Sequence, residues 1–84
     1  LAKPTILFVG NFKWLPNKDA ALFLTNKIWP KIKKAIPQAK LWIVGRNPTK
    51  RILSLARRKD VQVDGGIEDI RECFGKASVL LAPI

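Results

Sequence analysis

Histidine is absent from the sequence, and cysteine occurs once, at Cys73. Without histidine the chain cannot assemble the familiar zinc sites or the Ser–His and Cys–His pairs of nucleophilic catalysis. A single cysteine excludes an internal disulfide, and we expect Cys73 to be a small core residue on a helix. No apolar run approaches the roughly 20 residues that a membrane-spanning helix needs. We therefore expect a cytosolic chain without a metal or other cofactor.

Acidic residues are also few: the chain has six Asp and Glu but 16 Lys and Arg, which gives a formal net charge of +10. Such a balance attracts phosphates, nucleic acid or an anionic membrane surface. Many lysines of the first half belong to one predicted helix or its entry: Lys18, Lys27, Lys31, Lys33 and Lys34. We interpret them as a solvated face, with contact to anionic lipid as the alternative. Specific nucleic-acid binding is disfavoured, because the aromatic residues mostly lie within apolar runs.

Four strands are predicted: three short apolar runs closed by glycine or proline at 5–9, 41–44 and 78–82, and a short strand at 61–63 with its turn at Gly65 and Gly66. Three helices are predicted between them. The first is capped by Asn17, kinks at Pro30 and stops at Pro37. The second has Asn47 as its cap and Pro48 at its first position, and ends in basic residues 57–59. The third opens at residues 68–69, carries Ile70, Cys73 and Phe74, and closes near Gly75.

The order βαβαβαβ, with strands apolar along their whole length, predicts a parallel sheet covered by helices on both faces. The fold class is therefore α/β: one three-layer, Rossmann-like domain over residues 1–84, a little more than half of a doubly wound sheet. Ligands of such sheets bind beyond the carboxyl ends of the strands. Segments 10–17, 45–48 and 64–67, with Pro83 and Ile84, line that edge.

Two cations of this edge are candidate phosphate ligands. Lys18 stands at a helix start, where a cation opposes the helix dipole unless an anion is bound, although it could simply point to water. Arg46 directly follows the second strand and either serves a phosphate or has no such role. Glycine-rich nucleotide fingerprints are absent, which argues against a standard dinucleotide or P-loop cradle.

The aromatic and acidic residues near this edge have structural explanations. We expect Trp14 to pack its loop onto the sheet, with stacking on a ligand ring as the alternative. Trp29 and Trp42 are predicted core residues. Asp64, Glu68 and Asp69 do not form a convincing acid–base pair, since the last two are explained by helix-start electrostatics.

Two stretches carry a family resemblance: "ILFVGNFKWLPNKDAALFLTNKIWPKIKKAIPQAKLWIVGRNP" and "VQVDGGIEDIRECFGKASVLLAPI". In this order, their motifs resemble the donor-binding, C-terminal Rossmann-like domain of retaining GT-B glycosyltransferases of the group 1 type. The resemblance implies transfer of a sugar from a nucleotide-sugar donor, UDP- or GDP-linked, to an acceptor with retained anomeric configuration and usually without a bound metal. It also implies that a separate domain holds the acceptor.

The resemblance assigns roles to individual positions. Gly10 and Asn11 would approach the diphosphate, and Lys18 would be the phosphate-binding lysine. Many relatives have arginine where this chain has Asn11, so Lys13 or Arg46 could supply that charge. Gly66 and Ile67 would meet the nucleobase, and Pro83 would lie near the floor of the donor site.

Relatives continue past the last strand into a glycine-rich loop and a helix with two glutamates, and this chain ends before both. We therefore expect a fragment of a glycosyltransferase, with partial nucleotide-binding surface and little or no activity alone. Peripheral membrane contact of the parent enzyme is a further conjecture. The alternative is a non-enzymatic half-Rossmann module that binds ligands or self-associates through an exposed sheet edge.

Overall fold

The computed structural model describes residues 4–66, 71 and 79–81. Within them lies a four-stranded sheet built from β1 (Thr5–Val9), β2 (Lys40–Val44), β3 (Val61–Asp64) and β4 (Val79–Leu81). The strand order is β3-β2-β1-β4, and every neighbouring pair is parallel. β1 is thus an inner strand: β2 and β3 follow it on one side of the sheet, and β4 lies on its other side. The predicted α/β, Rossmann-like fold is confirmed.

The strand register sorts the side chains into two apolar faces. Ile6, Leu41 and Val61 lie side by side on one face, whereas Leu7 and Trp42 lie on the other because successive residues of a strand alternate. Both faces contain buried side chains. This explains why β1 and β2 are apolar over most of their length, whereas the edge strand β3 alternates Val61 and Val63 with Gln62 and Asp64.

Two helical crossovers follow β1 and β2. The first consists of α1 (Leu15–Phe23), a π-helical stretch (Leu24–Ile28) and α2 (Trp29–Ala35). The second consists of α3 (Lys50–Ser54) and a 3-10 turn (Leu55–Arg57). Side chains from both crossovers join one core with the first face of the sheet: Ala21, Leu24, Trp29, Ile52 and Leu55 pack with Phe8, Leu41, Ile43 and Val61.

The described crossovers therefore cover a single face of the sheet. Of the third predicted helix, only Arg71 falls within the described residues, where it is helical. Glu68, Asp69, Ile70, Cys73 and Phe74 lie outside them. The third layer of the fold stays a prediction.

Both predicted helix caps are wrong. α1 begins at Leu15, with Trp14 as its cap residue and Pro16 in its first turn, so Asn17 is already helical. α3 begins at Lys50, because the hydroxyl Oγ1 of Thr49 accepts a hydrogen bond from Ile52 N at 3.2 Å. Asn47 instead has a left-handed backbone with φ of 55°, a conformation that asparagine tolerates better than most residues.

Near Pro30, where a kink was predicted, the helix has the π-helical stretch, which ends two residues earlier at Ile28. Trp29 N donates to Leu24 O, five residues back, in place of the usual four. A proline inside an α-helix lacks an N–H and clashes with the carbonyl four residues earlier. We infer that the wider π turn accommodates this clash without ending the helix.

Candidate functional site

Three loops meet where the parallel strands end. Backbone hydrogen bonds continue the sheet ladder past the strands and join these loops: Gly10 N donates to Val44 O at 3.1 Å, and Gly45 N donates to Asp64 O at 3.1 Å. Phe12 N reaches further, to Arg46 O at 2.9 Å. The loops after β1, β2 and β3 therefore form one continuous edge, which we call the carboxyl rim (residues 10–14, 45–48 and 64–66).

The carboxyl rim is packed too closely for side chains at two of its glycines. A Cβ atom on Gly45 would lie 1.8 Å from Gly10 O and 2.6 Å from Phe12 Cε2. A Cβ atom on Gly65 would lie 2.6 Å from Pro48 Cγ. Phe12 itself is fully buried and stacks on Phe8, with ring centroids 6.2 Å apart. The rim is therefore a compact backbone surface anchored to the core.

Asn11 ties three segments of the rim together. Its side-chain Oδ1 accepts hydrogen bonds from Lys13 N at 3.0 Å and from Asn47 Nδ2 at 3.1 Å. Its backbone carbonyl accepts from Trp14 N at 3.2 Å and from Asn17 Nδ2 at 2.9 Å. The left-handed Asn47 thus bonds to a loop 36 residues earlier in the chain. Asn11 fixes the first loop to the start of α1 and to the second loop.

The start of α1 offers fewer backbone donors to an anion than the sequence suggested. Pro16 has no N–H, and the N–H of Asn17 already donates to Trp14 O at 3.1 Å. Lys18 N also donates to Trp14 O, at 3.2 Å, as the first regular helical bond. The positive potential here therefore comes chiefly from side chains: Lys18, which is half-buried, and the exposed Lys13 and Arg46.

Trp14 does not pack its loop onto the sheet as expected, because 63% of it is exposed. Phe12 performs that packing two residues earlier. The alternative interpretation, that Trp14 stacks on a ligand ring, stays open. Trp29 is a buried core residue as predicted, and Trp42 is half-buried against the second core cluster.

Asp64 has a structural role at the end of β3. Its Oδ2 accepts hydrogen bonds from Trp42 Nε1 at 2.5 Å and from Gln62 Nε2 at 2.7 Å. Glu68 and Asp69, its predicted neighbours, lie outside the described residues. In the described part of the chain, no three His, Cys, Asp or Glu side chains are close enough together to hold a metal ion.

A cleft of about 460 Å³ opens at the opposite, amino-terminal end of the strands. Its lining includes Thr5, Lys40 and Val61, which begin β1, β2 and β3. Its volume is large enough for a small ligand. We favour the carboxyl rim, because ligands of open parallel sheets bind beyond the carboxyl ends of the strands.

The structure brings five of the seven sequence-predicted site residues to the carboxyl rim or to the helix that leaves it: Gly10, Asn11, Lys18, Arg46 and Gly66. Ile67 and Pro83 lie outside the described residues. Sequence reasoning missed the bond from Asn47 to Asn11 and the anchoring of the rim by Phe12. Neither contact has a local sequence signal, since each depends on how the loops approach one another.

Within the described residues, no helix combines the length and the apolar character needed to cross a membrane. The family model described as "Glycosyl transferases group 1" matches residues 3–84 of the chain. Neither a curated protein nor a solved structure gives a significant match.

Proposed function

The chain belongs to the group 1 glycosyl transferases, and we propose that it forms part of the donor-binding side of such an enzyme. Membership implies a nucleotide-sugar donor and an acceptor for the sugar. We further propose a UDP- or GDP-linked donor, the GT-B arrangement of domains and retention of the anomeric configuration. A cytosolic setting stays a prediction from the composition.

The observation that carries this proposal is the close-packed carboxyl rim with cations around it. Gly45 lets the first and second loops approach each other to contact distance, and the side chains of Lys13 and Arg46 are exposed on these two loops. A diphosphate lying over Gly10 and Asn11 would be neutralised by Lys18 and Arg46, with Lys13 as a third cation. Charge-assisted hydrogen bonds to phosphate are among the stronger polar contacts in proteins.

The nucleobase is proposed to lie beside the third loop, at Gly66 and Ile67. Gly66 is exposed, and a Cβ atom added to it would meet no atom of the described residues within 4 Å. This open position leaves room for a flat base to approach the backbone. Pro83 would form part of the floor of the donor site.

A titration followed by amide NMR tests where the donor binds. UDP, GDP and inorganic pyrophosphate are added separately to the 84-residue chain. We expect all three to shift the amides of Gly10 to Lys18 and of Arg46, and only the nucleotides to shift the amide of Gly66. Shifts spread over the lysines of α2 and abolished by salt would instead indicate a generic basic surface.

We also propose that other parts of the enzyme act on the sugar itself. Of the three described carboxylates, Asp60 forms an ion pair with Lys33, Asp64 accepts hydrogen bonds from Trp42 and Gln62, and Asp19 is exposed on α1 without a second carboxylate beside it in the described sequence 4–59. The chain alone should therefore show little turnover. A measured kcat above about 1 per second, a typical enzymatic rate, would contradict this fragment proposal.

The alternative of a non-enzymatic binding or self-assembling module is not favoured, because the family model covers residues 3–84. Association of the chain through its sheet edges is compatible with either function.

A further inference from the structure

Exposed apolar side chains are concentrated on the first crossover. The described part of the chain has six large hydrophobic residues that are exposed, and five of them lie between residues 14 and 36: Trp14, Leu15, Phe23, Ile28 and Ile36. Leu15 is 64% exposed and Phe23 is 59% exposed. Large side chains of this kind are usually turned inward on an amphipathic helix, so their exposure here indicates a binding surface.

The side chains of this crossover form two rows, in each of which the residues are four apart. One row faces the core and the other faces outward. The inner row is Ala21, Thr25 and Trp29, and all three are buried. Residues 15, 19, 23, 27 and 31 form the outer row and are all exposed. Residues four apart lie on the same side of a helix, so the outer row is one continuous surface that combines Leu15 and Phe23 with Lys27 and Lys31.

Basic residues border this apolar surface on the same crossover. Lys27, Lys31 and Lys34 are exposed, and Asp19 is the only acidic residue in the chain before Asp60. Lys33, in contrast, belongs to the inner side: it pairs with Asp60 and donates to Ala39 O at 3.0 Å. The sequence interpretation that grouped Lys33 with the solvated lysines is therefore wrong.

We propose that the outer row of the first crossover docks on an anionic lipid bilayer. Leu15 and Phe23 would enter the boundary between headgroups and acyl chains, while Lys27 and Lys31 would contact lipid phosphates. Leu15 has no use in contacts with phosphates or bases, whereas Leu15 and Phe23 both suit the apolar boundary of a bilayer, which favours a membrane over a nucleic acid. The surface is distinct from the carboxyl rim, so this proposal stands independently of donor binding.

Vesicle co-sedimentation tests the apolar part of the surface. The chain is mixed with vesicles of phosphatidylcholine alone or of phosphatidylcholine with phosphatidylglycerol. We expect binding to the anionic vesicles, and Phe23→Ser should lower the partition coefficient roughly tenfold, since a buried large apolar side chain contributes on that order. Leu53→Ser is the matched control, because Leu53 is 48% exposed but lies on α3. It should leave partitioning unchanged.

Charge variants test the electrostatic part. Lys27→Gln and Lys31→Gln should each weaken binding to anionic vesicles about fivefold, as each lysine near such a surface contributes on that order. Lys50→Gln on α3 should have a smaller effect, and Asp19→Asn should strengthen binding. Circular dichroism confirms that every variant is folded.

Three results would overturn the proposal. The first is equal binding to both kinds of vesicle. The second is an equal loss of binding in Phe23→Ser and Leu53→Ser. The third is a combination of two observations: an oligonucleotide displaces the chain from anionic vesicles, and Phe23→Ser leaves vesicle binding unchanged. That combination would identify the surface as a nucleic-acid site.

Discussion

Asn11 organises the carboxyl rim through the oxygen of its side chain. Asn11→Ala removes the acceptor of two hydrogen bonds, from Lys13 N and from Asn47 Nδ2. Both partners are near solvent, so we expect a loss of about 1 kcal/mol in the free energy of unfolding. Urea unfolding measures this loss, and amide exchange at Lys13 should become faster.

The variant Asn11→Asp distinguishes the structural role of Asn11 in the rim from a direct contact between residue 11 and the ligand. The aspartate retains the oxygen that accepts both bonds, so the stability of the chain should stay close to that of the unchanged protein. Its negative charge should nevertheless weaken binding of a nucleoside diphosphate, because like charges repel. If Asn11→Asp destabilises the chain as much as Asn11→Ala, the described role of Asn11 is wrong.

Gly45 is the residue at which the rim has least room. In Gly45→Ala the new Cβ would meet Gly10 O at 1.8 Å, so the backbone of one loop must move. We expect a loss of about 3 kcal/mol or more in the free energy of unfolding, at the upper end for overpacking. Thermal and urea denaturation measure it.

Gly66→Ala is the control for that substitution, since among the described parts of the chain its Cβ would have no neighbour within 4 Å. It should change stability by no more than about 0.5 kcal/mol. A similar loss in both variants would show that the effect comes from glycine flexibility and not from the close approach of the loops.

At the scale of elements, the second crossover depends on the cap at Thr49. Thr49→Ala removes the acceptor for Ile52 N, and the loss of such a cap costs about 1 kcal/mol. Thr49→Ser retains the hydroxyl and should preserve most of the stability. Urea denaturation of the two variants is the measurement. Equal stabilities would show that the hydroxyl does not support α3.

Sequence patterns predicted the helices but not how they begin. Asn17 and Asn47 both stand where a cap was expected, yet their side chains serve the first loop: each donates through Nδ2 to an oxygen of Asn11. Asparagine suits a cap, a left-handed turn and a loop contact equally well. Only the three-dimensional approach of the loops decides among these uses.

At the scale of the whole molecule, the order of strands and helices predicted the parallel sheet. Continuous apolar runs such as 5–9 indicate strands buried on both faces, and that signal is independent of loop detail. The site was less accessible to prediction. Lys18 and Arg46 were found by their places next to strand ends, whereas the exposure of Trp14 and the packing of Phe12 depend on tertiary contacts.

The described sheet ends at β3 on one side and β4 on the other. Because unpaired strand edges can pair with another copy, we predict association of the chain at high concentration. Its net charge of +10 opposes this, so association should increase with salt. Light scattering at low and high ionic strength measures it, with Gln62→Lys on β3 as a variant that should associate less. A chain that stays monomeric in both conditions contradicts the prediction.

If the carboxyl rim binds the diphosphate of a nucleotide sugar, the chain should bind UDP or GDP there, and calorimetric titration measures these affinities. Lys18→Ala is compared with Lys34→Ala, which removes the same charge from the far end of α2, at one fixed ionic strength. We expect an affinity at least about tenfold lower in Lys18→Ala, the size expected for a hydrogen bond to a charged group, and little change in Lys34→Ala. Equal effects of the two substitutions, or no binding by the unchanged chain, would contradict this expectation.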